Sequence, residues 1–253
     1  MLSRILCVAI GFAACIALIP ISTSHVAAQT VEGGYKIFRP EGPGPHPALV
    51  FLSGCSGFTP SMAPKHYERV AEQFRAKGYV VVFADYLGRR GKTNCMEVDI
   101  LEAVGDLVAA AAWLKSQSSI DPARITALGW SYGGGAVLNA VNKLNTEQLI
   151  FSRAIVYYPA CGGLLGEWKP KVPALMLLAG EDTVARYAGC QEAVQKIANP
   201  DVAKTVIYPG AQHGFDMSEL PSKTYYDFGT IGYHPQAAAA AWEEIERFLR
   251  SAK

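Results

Sequence analysis

The feature that most limits what this chain can fold into is a succession of short, wholly apolar or β-branched runs alternating with longer stretches of helical spacing. Residues 48–52, 79–84, 125–129, 154–158, 174–179 and 205–208 read as strands. Residues 67–77, 100–117, 135–144, 189–198 and 236–249 read as helices, and Gly78 suits the C-terminal stop of the first. Strands apolar on both faces and separated by helices predict an α/β fold, with a mostly parallel central sheet and helices on both faces. In such sheets ligands bind beyond the carboxyl ends of the strands, so a functional motif should lie just after a strand.

A chain of 253 residues is long enough for one sizeable core, and no domain-sized linker or internal repeat is visible. Lys plus Arg number 23 against 22 Asp plus Glu, so no strong field exists to hold nucleic acid or an anionic membrane surface. The first residues read as an export signal. Arg4 precedes an apolar run over 5–19, Pro20 ends it, and Val26-Ala27-Ala28 offers small residues for cleavage after Ala28. The alternatives are an uncleaved anchor, for which the run is shorter than the roughly 20 residues of a spanning helix, and a lipoprotein site at Cys15. The expected organisation is a signal peptide over 1–28 and a single domain over 29–253, exported to the periplasm or beyond. That domain keeps Cys55, Cys95, Cys161 and Cys190, an even set that favours two disulfides among three connectivities. Their spacing does not suit zinc.

Gly129-Trp130-Ser131-Tyr132-Gly133 follows one strand and precedes a helix. A serine between small residues at such a turn has its hydroxyl pushed into the open, above the positive end of the following helix. A serine hydroxyl needs a base to take its proton, and the base needs a carboxylate to hold its tautomer. Of His46, His66, His213 and His234, only His213 lies in a loop beyond the last strand. His66 and His234 are expected to start helices. Asp182 closes Leu-Leu-Ala-Gly-Glu-Asp after a strand, between Ser131 and His213 in chain order; Glu181 and Asp85 are its rivals.

An oxyanion requires preorganised N–H donors. One expected donor is the Tyr132 amide; the other comes from Ser53-Gly54-Cys55-Ser56-Gly57, where the Cys55 amide is favoured. In this reading the Cys55 side chain is structural and oxidised with Cys95. Tyr86, Arg89 and Trp130 are candidate substrate contacts, Arg89 for a carboxylate. Tyr132, Trp168 and Tyr187 are further aromatic candidates, although core packing accounts for most such residues. Residues 88–93 imitate a phosphate loop but place Tyr86 where its first glycine belongs, which excludes a nucleotide role.

With these residues in view, the chain resembles the dienelactone hydrolase family of the α/β-hydrolases. The likeness runs over residues 34–249 and rests on Leu-Ser-Gly-Cys-Ser-Gly (52–57), Val-Val-Phe-Ala-Asp-Tyr (81–86), Gly-Trp-Ser-Tyr-Gly-Gly (129–134), Gly-Glu-Asp (180–182) and Gly-Ala-Gln-His-Gly-Phe (210–215). The resemblance implies an α/β-hydrolase fold and catalytic roles for Ser131, Asp182 and His213, with oxyanion amides at Cys55 and Tyr132. The enzymes that name the family use a cysteine nucleophile and a glutamate in the first oxyanion loop. This chain has serine and no such carboxylate, so the dienelactone substrate does not carry over. The expectation is a carboxylic-ester hydrolase acting on small-molecule esters, without cofactor or metal. Thioesters, amides or polymeric esters, and a silent binding protein on the same fold, are the alternatives.

Overall fold

The computed structural model describes residues 30–144, 150–164, 166–197 and 199–251. The expected signal peptide therefore lies outside the described residues.

Among the described residues, ten strands and five α-helices follow one another as the apolar runs require. In chain order they are β1 (Thr30–Glu32), β2 (Tyr35–Phe38), β3 (His46–Leu52), α1 (His66–Ala76), β4 (Val80–Phe83), α2 (Ile100–Lys115), β5 (Ile120–Trp130) and α3 (Ser131–Asn139). There follow β6 (Arg153–Tyr157), β7 (Ala174–Ala179), α4 (Ala188–Gln195), β8 (Ala203–Tyr208), β9 (Thr224–Tyr226), β10 (Gly229–Ile231) and α5 (Pro235–Arg250).

Eight strands form one sheet in the order β1-β2-β4-β3-β5-β6-β7-β8. The six from β4 to β8 run parallel, while β1 and β2 add an antiparallel edge. The fold is that of the α/β-hydrolases, as the alternation predicts. The six expected strands are the six parallel ones. The edge strands went unread because each is only three or four residues long and β1 is mostly polar. The pair β9 and β10 forms a separate small hairpin.

Side chains alternate between two cores. Val50, Leu52, Val82, Ala127 and Val156 pack toward α2 and α3, whereas Leu49, Phe51, Val81, Leu128 and Ile155 pack toward α1 and α5. The chain leaves β3 toward β4 on one side and toward β5 on the other, so the order reverses between β3 and β5. That reversal opens a crevice at their carboxyl ends, where both Gly54 and Ser131 lie.

The helix expected at 135–144 begins four residues earlier, at Ser131. Glycines 133–135 are poor helix formers, which hides the first turn from propensity. Packing demands them: a side chain at Gly133 would collide with the backbone oxygens of Leu52 and Ser53. The helix continues over Ala140–Leu144 as a wider, π-type turn.

Two disulfides join Cys55 to Cys95 and Cys161 to Cys190. The first is the pairing expected from the loop after β3. The second follows from the even count once the first is made.

Candidate active site

Ser131 stands at the junction of β5 and α3 with φ +51°, in the left-handed region that serine rarely adopts. Such a backbone costs about 1–3 kcal/mol and persists only where its surroundings impose it. Here the close approach of the turn to β3 does so. His213 lies in the loop after β8, and Asp182 in the loop after β7. Backbone bonds knit these two loops together: the Gly180 amide donates to the Tyr208 carbonyl and the Glu181 amide to the Ala211 carbonyl, each at 2.9 Å.

The side chains form one hydrogen-bonded line. His213 Nε2 is 2.9 Å from Ser131 Oγ, and His213 Nδ1 is 2.7 Å from Asp182 Oδ2. The other Asp182 oxygen accepts the amides of Val184 and Ala185 at 2.8 and 2.7 Å, which orients the carboxylate from behind. Asp182 and His213 are buried, and Ser131 is partly exposed. The rivals to Asp182 are engaged elsewhere. Glu181 accepts from the Gln212 amide side chain at 2.8 Å, and Asp85 accepts from the Gly88 amide at 2.8 Å.

The loop after β3 lies against the serine. A Cβ at Gly54 would stand 3.6 Å from that of Ser131. The Gly54 peptide is held at both ends, its N–H donating to the Tyr67 hydroxyl at 2.9 Å and its carbonyl accepting the Tyr86 hydroxyl at 3.0 Å. With that N–H committed, the next amide is Cys55, which has no acceptor among the described residues. The Tyr132 amide belongs to the first turn of α3, whose N–H groups lack intrahelical partners. The disulfide to Cys95, reinforced by the Cys95 amide donating to the Cys55 carbonyl at 2.9 Å, fastens this loop.

Three expected substrate contacts fall elsewhere. Tyr86 is fully buried and spends its hydroxyl on Gly54; burial also raises its pKa far above the phenol range. Trp130 is fully buried on the α1 side of the sheet, stacked on Tyr157 with centroids 5.7 Å apart. It adjoins Ser131 in sequence, but strand alternation sends successive side chains to opposite faces. Arg89 lines a separate groove, its guanidinium 5.1 Å from the Tyr35 ring centroid and its Nε 4.0 Å from Asp106. Among the other aromatic candidates, Trp168 is buried with its indole N–H on the Leu138 carbonyl, and the Tyr132 hydroxyl donates to the Val98 carbonyl at 2.6 Å.

Two residues not singled out in the sequence, Tyr158 and Asp216, support the site. Tyr158 has φ +34° and packs on the His213 ring at 4.5 Å between centroids. Its hydroxyl donates to Asp216 Oδ1 at 2.6 Å, and the Trp130 indole donates to Asp216 Oδ2 at 2.8 Å. The His66 ring lies 3.3 Å from the same carboxylate. Burial would raise the Asp216 pKa, but the His66 ring and the Tyr158 and Trp130 hydrogen bonds outweigh it and hold it below the ordinary carboxylate value. Asp216 and its three partners come from different parts of the chain, so no local motif marks them.

A cavity of about 420 Å³ opens onto Ser131 and His213. Met62, Met96, Met217, Leu220 and Phe228 line it, with Tyr158 against the His213 ring.

A mostly parallel sheet with a strained serine at a strand–helix turn, beside a histidine from the last parallel strand's loop, defines an α/β-hydrolase. The chain belongs to the dienelactone hydrolase family, whose pattern it matches over residues 34–253. It is 24% identical to a provisionally named carboxymethylenebutenolidase of Synechocystis sp. over 76% of this chain and 74% of that protein. It is 34% identical to the quorum-quenching protein AidA of Acinetobacter baumannii over 74% of this chain, spanning 60% of that relative's length. The solved structure of Thermogutta terrifontis esterase 2, phosphoramylated by tabun, superposes with TM-score 0.61 at 20% identity, covering 85% of this chain and 88% of that one. Family membership makes the chain a hydrolase, and the solved neighbour shares its fold.

Proposed function

We propose that this protein is a serine carboxylic-ester hydrolase working through an acyl-enzyme, with Ser131 as nucleophile, His213 as base and Asp182 as the acid that orients it. The observation that carries this reading is the unbroken line of hydrogen bonds from Asp182 through His213 to Ser131, ending at an apolar cavity. His213 Nε2 takes the Ser131 proton as Oγ attacks the ester carbonyl. Negative charge on the carbonyl oxygen is met by the Cys55 and Tyr132 amides, fixed in advance and therefore free of reorganisation cost. The protonated His213, steadied by Asp182, gives its proton to the departing alcohol. Water then enters, loses a proton to His213, and releases the acid.

The substrate is a small-molecule ester. The same reading has residues 1–28 removed on export, leaving one hydrolase domain over 29–253, and the two disulfides suit an oxidising compartment. A fluorophosphonate probe should label native protein at Ser131, and Ser131→Ala and His213→Ala should each lower kcat/KM for a p-nitrophenyl ester by about four orders of magnitude or more. Native protein that neither labels nor turns over an ester panel, or variants of near-normal rate, would end the reading.

A further inference from the structure

We infer that the site selects esters with an uncharged, apolar acyl chain and rejects those whose acyl chain ends in a carboxylate. This rests on the esterase reading only for which reaction is measured; the selection itself is a property of the cavity. Among the described residues, no Lys, Arg, Asp or Glu lines the space around Ser131 and His213. The walls are mostly apolar, Met62, Met96, Met217, Leu220, Val184 and Ile231 among them, and their polar members Ser56, Asn94, Tyr67 and Tyr158 carry no charge. A carboxylate brought among them would leave water without a cationic partner, which penalises the charged acyl chain relative to a neutral one.

The cation that could have answered it is absent from the cavity. Arg89 belongs to a groove of about 810 Å³ that contains neither Ser131 nor His213, and it faces Tyr35 and Asp106 there. Arg90 is held by Asp106 and Glu102. His213 is committed on both ring nitrogens, to Ser131 and Asp182.

The methionines shape the other half of the inference. Three unbranched, polarizable thioether side chains around the cavity adapt to different apolar outlines better than branched residues do. Discrimination should therefore be strict in charge and loose in chain length. At about 420 Å³ the space lies within the range of small-molecule sites.

The test uses twin esters of equal length, p-nitrophenyl hexanoate and the mono-p-nitrophenyl ester of adipic acid, whose chain ends in a carboxylate instead of a methyl. The full chain should favour the neutral twin in kcat/KM by about a hundredfold or more. Met96 is 87% exposed at the cavity rim, so a longer side chain there has room to extend. Met96→Arg should narrow the ratio about tenfold by supplying a charge-assisted partner. Calorimetric binding of both twins to Ser131→Ala provides a readout that does not depend on turnover. Preferential binding of the neutral twin by Ser131→Ala, with no hydrolysis by the unaltered chain, would keep the selection and remove the esterase reading. Twins handled within about threefold of one another, in turnover and in binding, would overturn the inference while leaving the esterase in place.

Discussion

The residue that discriminates best between alternatives is Asp182. Three carboxylates near strand ends compete for the role of acid, and their hydrogen bonds separate them. Asp182 gives one oxygen to His213 and the other to two backbone amides. Asp85 instead caps the turn that Gly88 closes. Asp182→Asn should therefore lower kcat about 10⁴-fold with a modest change in KM, because the amide stabilises the wrong imidazole tautomer. Asp85→Asn should cost far less in kcat. Steady-state kinetics on both variants decide the matter, and a larger loss in the Asp85 variant would transfer the role.

Four segments meet at one buried carboxylate. Asp216, three residues beyond His213, receives Trp130 from the end of β5 and Tyr158 from just after β6, and sits against His66 at the start of α1. It thus ties the serine's turn to the histidine's loop. Asp216→Ala would strand two buried donors, and about 3 kcal/mol of stability should go with them. The pH dependence has a definite sign. The folded-state pKa of Asp216 is depressed, so its contribution is complete above the ordinary carboxylate value of about 4 and disappears as pH falls through the lower, folded value. Urea unfolding of wild type should weaken over that acid window, and Asp216→Asn should lack that part of the slope. Identical slopes in the two proteins would show that the carboxylate is not the group responsible.

At the scale of the whole molecule, compartment and chemistry are linked. The Cys55–Cys95 bridge fastens the loop that offers the Cys55 amide, and Cys161–Cys190 ties the segment after β6 to α4. A fold with its proposed oxyanion loop secured by a half-buried disulfide is suited to an oxidising environment. The export reading predicts that the protein recovered outside the cytoplasm begins at Gln29. N-terminal sequencing checks it, and a mature protein retaining Met1 would refute cleavage.

The sequence by itself determined the six parallel strands, the order of serine, acid and histidine, and the loops that carry them. Apolar runs and small-residue turns are local signals, and each reports a constraint met within a few residues of itself. The antiparallel edge, short and partly polar, left too weak a pattern to read. Only the tertiary structure decided which way the side chains beside Ser131 point. Tyr86 and Trp130 are near Ser131 along the chain or across the sheet, yet pleat alternation and core packing bury them. The same holds for the Gly54 clamp of Tyr67 and Tyr86, and for Asp216 and its partners. Their hydrogen bonds join residues from 13 to 86 positions apart, a separation at which local pattern carries no information about direction.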